Sequence, residues 1–74
     1  TQSHYHIRSS LPGRARIHCD QLLESVILRH HCIITLTRCH WLKDFRINRI
    51  NGDLIIHYPR HRQDDVDELL EECL

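Results

Sequence analysis

Tyr5-His6-Ile7-Arg8-Ser9-Ser10-Leu11-Pro12-Gly13-Arg14-Ala15-Arg16-Ile17-His18 is the stretch on which the reading of this chain turns. It consists of two short alternating segments separated by Leu-Pro-Gly-Arg. Ile7, Ala15 and Ile17 fall on one side, and Arg8, Arg14, Arg16 and His18 on the other, as in strands with one face turned to a core. Pro12 has no amide hydrogen for a sheet ladder, and Gly13 opens backbone angles closed to other residues. The expectation is a single first strand kinked at Pro12-Gly13.

Downstream of that strand, Asp20 is placed to cap a helix beginning near Gln21. Leu22, Leu23, Val26, Ile27 and His30 recur at helical spacing, with Glu24 and Arg29 toward water. His31-Cys32-Ile33-Ile34-Thr35-Leu36-Thr37 pulls both ways, because its β-branched residues favour a strand while its spacing continues the helix. The segment 42–49 alternates, with Phe45 and Ile47 inward. Asn51-Gly52 predicts a two-residue turn, and residues 53–58 return as the partner strand until Pro59 stops it. Asp64 or Asp65 opens a last helix with Val66, Leu69, Leu70, Cys73 and Leu74 on one stripe.

The order strand, helix, strand, strand, helix predicts an α+β fold: a ferredoxin-like βαββα(β) sandwich, its antiparallel sheet covered on one face by two helices. The last strand of that layout has no counterpart. An open edge is therefore expected, available to a partner or a second copy.

The segment Ser9-Ser10-Leu11-Pro12-Gly13-Arg14-Ala15-Arg16-Ile17 also resembles the opening of the second type of heavy-metal-associated domain. Such domains precede the membrane part of some metal-transporting P-type ATPases. Phe45-Arg46-Ile47-Asn48 and the strand ending at Tyr58 sit where that family has similar residues, so the resemblance covers nearly the whole chain. It implies the same element order, with one long helix running to about Arg38. It also implies a cytoplasmic accessory domain at the cytosolic face of a membrane, working with the remaining domains of a metal transporter.

The composition sets limits. The 74 residues of the chain suit a single domain over residues 1–74, and at 41% apolar residues they support a modest core. No run approaches the roughly 18 apolar residues of a membrane span, and no signal-peptide pattern occurs, so a soluble domain is expected. Net charge is zero with the eight histidines neutral, but the basic residues all precede Gln63 and the segment 63–74 carries acids alone. That asymmetry suggests the acidic end packs against the basic body. The four cysteines admit a disulfide framework, a zinc site or buried free thiols. No Cys-x-x-Cys pair is present and nothing points to secretion, which favours thiols.

Three kinds of chemistry come into question. The first is metal ligation. The best-known heavy-metal-associated domains hold copper or zinc on Cys-x-x-Cys after the first strand, whereas the junction here reads Ile17-His18-Cys19-Asp20. His18, Cys19 and Asp20, joined by His6 if the kink brings it near, form a mixed donor set. It suits zinc, cobalt, nickel or cadmium rather than copper(I). The alternative reading has Cys19 in the core and Asp20 as a helix cap. His4 and His6, two apart on one strand face, are a further candidate pair.

The second is docking through a basic sheet face carrying Arg14, Arg16 and Arg46, with His18, Asn48 and His57 beside them. An acidic protein, anionic lipid or nucleic acid would answer those charges. Nucleic acid is the weakest of these, because the stacking aromatics that RNA-binding sheets use are missing. The third, catalysis, lacks any motif: no nucleophile triad, phosphate loop or metalloprotease helix occurs. No enzymatic activity is expected of this domain itself.

Overall fold

The computed structural model describes residues 5–74. Its elements are β1 (His6–Leu11), β2 (Arg14–His18), α1 (Gln21–Glu24), α2 (Val26–Arg38), β3 (Asp44–Asn48), β4 (Asp53–His57), a 3₁₀ stretch (Arg60–Asp65) and α3 (Val66–Cys73). The four strands form one sheet in the order β1-β2-β4-β3, and every neighbouring pair is antiparallel. The α+β ferredoxin-like sandwich is thus the fold.

The first expectation that fails is the kinked strand. Leu11 pairs with Arg14, so Pro12 and Gly13 are the two residues of a hairpin turn. Gly13 has φ +85°, and a positive φ directly after a proline reverses the chain instead of bending it. β1 therefore lies antiparallel beside β2, in the place where a last strand would have been. The edge expected to be open there is filled by the chain's own N-terminal strand, and the unpaired edges are those of β1 and β3. Arg8 is the extra residue of a bulge between Ile7 and Ser9, which turns it toward the same face as its neighbour.

The long helix is also interrupted. Ser25 has φ −111° and ψ 111°, ends α1 and caps α2, with its Oγ accepting from the Leu28 amide at 3.1 Å. Arg29, expected in water, donates from Nη1 to the Leu22 and Leu23 carbonyls at 2.7 and 3.2 Å, closing the free end of α1 across the break. The ambiguous segment 31–37 is helical. Asp20 precedes α1 without a side-chain cap bond, because its carboxylate is engaged elsewhere.

The core lies between the sheet and the helices. Ala15, Ile17, Leu54 and Ile56 come from the sheet, and Leu22, Leu36, Val66 and Leu70 from the helices. The stripe expected for α3 is buried throughout. That expected for α2 is not: its buried residues are Cys32 and Leu36, with Leu28 half-buried, while Val26 and Ile27 face solvent. Cys32 and Cys73 meet as buried thiols between α2 and α3; each cysteine is free. Contact with Cys32, reinforced by burial, pushes the Cys73 thiol well above its ordinary range.

The β3–β4 connection has four residues instead of two. Gly52 takes φ +77°, and no other residue around it has positive φ. Its amide donates to the Asn48 carbonyl at 3.0 Å, and the Asn48 and Asn51 side chains accept from the Ile50 and Asp53 amides. The acidic end packs against the body through the apolar stripe of α3, with little help from ion pairs. Among the described residues it forms one, Arg62 Nη1 to Asp65 Oδ2 at 3.1 Å, and the α3 carboxylates Asp67, Glu68, Glu71 and Glu72 are exposed. Among the described residues, no helix is long and apolar enough to cross a membrane.

Candidate functional site

Strand register lays out the sheet face turned away from the helices in three cross-strand rows. Going from β1 to β3 they read Leu11–Arg14–His57–Asp44, Ser9–Arg16–Ile55–Arg46 and His6–His18–Asp53–Asn48. Paired residues share a face, so this order follows from pairing and the two-residue period alone. These rows are rich in cations, and of their two carboxylates one is buried.

That carboxylate is Asp53, 1% exposed and the one buried charged residue among those described. Its Oδ2 accepts from Arg16 Nε and Nη2, both at 2.6 Å. Its Oδ1 accepts from His18 Nδ1 at 2.9 Å and faces Arg8 Nε at 3.2 Å. Burial by itself would raise this carboxyl. The hydrogen bonds from His18 and Arg16, with the charges of Arg16 and Arg8, outweigh burial and hold it below the usual carboxylate range.

The other ring nitrogen of His18, Nε2, lies 2.7 Å from Asp20 Oδ1. Carboxylates only accept, so a ring that donates to two of them must carry both protons. Its pKa is raised accordingly, chiefly by Asp53 and then by Asp20, against burial and the nearby Arg8. His6 stands over this ring at 5.3 Å between centroids, tilted by 45°.

The structure thus divides the expected metal set. His6, His18 and Asp20 come together on the outer face. Cys19, next along the strand direction from His18, is fully buried on the core side, where its amide donates to the Gly52 carbonyl at 3.0 Å. Alternation at a strand end sends residues 18 and 19 to opposite sides. The thiol lies in the core and both imidazole nitrogens are held by carboxylates, so the four donors do not converge on one point in this arrangement. Among the described residues, no group of three or more His, Cys, Asp or Glu side chains is arranged to hold a metal. His4, the suggested partner of His6, lies outside the described residues.

The docking set divides as well. Arg16 is committed to Asp53. Arg14 and Arg46 line a shallow depression of about 320 Å³ with Asp44, Ile55 and His57. Among the described residues neither Arg14 nor Arg46 forms an ion pair. Two cations and an imidazole around one carboxylate leave this end of the face able to take an external acidic group.

Asp53 is the residue that reading the sequence overlooked. A signal existed: it shares the parity of His57, an outward position, and is an acid at the start of a strand whose neighbours are basic. What sequence alone lacks is the pairing of Asp53 with His18, which brings Arg8 and Arg16 onto it.

Compared with protein-family models, with curated proteins and with solved structures, the chain matches none.

Proposed function

We propose that this domain is a non-catalytic docking module whose outer sheet face takes an acidic protein surface at Arg14, Arg46 and His57. The observation that carries this reading is the division of labour on the face. Asp53 neutralises Arg16 and orders Arg8 and His18, while Arg46 one row away and Arg14 two rows away stay uncommitted. Such a face keeps net positive charge, which favours steering and register over tight binding. Following the resemblance of Leu11-Pro12-Gly13-Arg14 to the heavy-metal-associated family, the surface met would belong to the remaining domains of a metal-transporting ATPase, so that regulation by domain contact is the role.

The test is titration of the ¹⁵N-labelled domain with poly-L-glutamate, followed by amide shifts. Expected are shifts centred on Arg14, Ile55 and His57, and an affinity lowered about tenfold by Arg14→Glu. Affinity unchanged in Arg14→Glu overturns the reading.

Metal sensing is the second reading, favoured by the approach of the His6 ring to His18, whose Nε2 Asp20 holds. It requires a metal to displace carboxylates from His18. Titration of the reduced domain with Co²⁺ separates the two. A thiolate-to-cobalt band lost in Cys19→Ala would draw Cys19 out of the core and into a site, and docking would then be secondary.

A further inference from the structure

Helix α2 is apolar on two opposite sides. Leu28, Cys32 and Leu36 recur every four residues and face the core. Val26, Ile27, Ile33 and Ile34 recur every seven and face solvent, Ile27 at 82% exposure. At about 100° per residue these are separate stripes, and a helix apolar on both sides is built to be covered on both. The outer stripe does not end at the helix. Val26 and Ile33 continue onto Phe45 and Ile47 of β3, forming a groove of about 500 Å³ between helix and strand. β3 is an edge strand, so nothing within the sheet covers that side.

The rim of the groove is Arg29, His30, Arg46 and Arg49, and no acidic residue lines it. Charge therefore discriminates among occupants. A second copy docked symmetrically would bring the rim arginines of both chains together, which is costly. A bilayer is flat, whereas this surface is concave. A convex rod with apolar residues on one side and acids along its flanks meets both the floor and the rim.

We infer that the groove between α2 and β3 is a docking site for an acidic amphipathic helix of a partner protein, with Val26, Ile33 and Ile47 as its floor and Arg29 and Arg49 as its rim. The site is distinct from the outer sheet face: Ile33 and Arg49 belong to the groove alone and Arg14 to the sheet alone. Arg46, at the edge, borders both.

The experiment is an NMR titration of the whole ¹⁵N-labelled domain with a helical peptide of about 15 residues, leucine on one face and glutamate on the other. Shifts are expected at Val26, Ile33 and Ile47. Ile33→Ser and Arg49→Glu should each weaken binding, read at these groove amides, about tenfold. Ile33 and Arg49 are exposed, so thermal unfolding of both variants should match the parent. The inference is overturned if the groove amides do not respond up to about 1 mM peptide, the weak end of specific affinity. It is overturned equally if both variants bind as the parent does. Self-association of the domain that Ile33→Ser abolishes, or capture by anionic phosphatidylserine vesicles without peptide binding, would also overturn it, assigning the groove to a second copy or to a membrane.

Discussion

His18 and Asp53 are direct cross-strand partners on β2 and β4, and Nδ1 of the ring donates to Oδ1 of the carboxylate at 2.9 Å. The contact ties the central strand pair together on the face opposite the core. Asp20 holds the other side of the ring at 2.7 Å.

Stability should depend on pH in a way set by this pair. The His18 pKa is raised by folding, so its contribution is fully present below the unfolded value of about 6.5 and is lost as pH rises through the folded value. The Asp53 pKa is lowered, so its contribution is present above about pH 3.9 and is lost as pH falls through the folded value. Greatest stability is expected between about pH 4 and 6.5. Urea unfolding across pH should show this window, and in His18→Gln the decline on its alkaline side should vanish.

Asp53→Asn keeps the shape of the side chain but leaves Arg8, Arg16 and His18 without their counter-charge. A loss on the order of 1–2 kcal/mol is expected in urea unfolding. The same change adds one unit of positive charge to the outer face. Affinity for poly-L-glutamate should rise while stability falls, and a fall in both would contradict the role given to Asp53.

Gly52 is strained for any other residue, since a Cβ there would lie 2.8 Å from the Cys19 carbonyl oxygen and 3.1 Å from Leu23 Cγ, at φ +77°. Gly52→Ala should cost about 2–3 kcal/mol in thermal or urea unfolding. A neutral outcome would mean that the loop can re-form without its bond to Cys19.

The two sides of α2 should respond oppositely to truncation. Leu36→Ala opens the core and should cost about 2–4 kcal/mol. Ile34→Ser, on the outer stripe, should change stability by no more than about 0.5 kcal/mol. The comparison, made by urea unfolding, tests which stripe the fold uses.

Breaking the helix cap at Ser25 should be milder. Ser25→Ala removes the acceptor for the Leu28 amide and should cost about 1 kcal/mol. Larger losses would mean that the break between α1 and α2 bears on the packing of Leu22 as well.

Alternation made much of the sheet legible: Ala15, Ile17, Phe45, Ile47, Leu54 and Ile56 all face the core side as their parity predicts. The stripe of α3 was legible for the same reason, since it is apolar along one side only. Helix α2 was not, because its apolar residues outnumber what one face can bury, and periodicity cannot choose between two stripes. Part of the candidate site was within reach. Arg14, Arg16, His18 and Arg46 were placed on the outer face, as the structure has them, whereas Asp53 and the burial of Cys19 away from His18 depend on pairing and on where the strand stops.

The sequence by itself determined the succession of helical and strand segments after His18, the chain reversal at Asn51-Gly52 and the inward parity of the strands, because these depend on backbone sterics and on neighbours a few residues apart. Only the tertiary structure decided that Pro12-Gly13 reverses the chain, so that β1 closes the sheet beside β2. It also decided that Arg8, Arg16 and His18 converge on Asp53, and that one apolar side of α2 stays uncovered. The first two rest on pairing between strands, which parity alone does not specify, and the third on how much of α2 the sheet can cover.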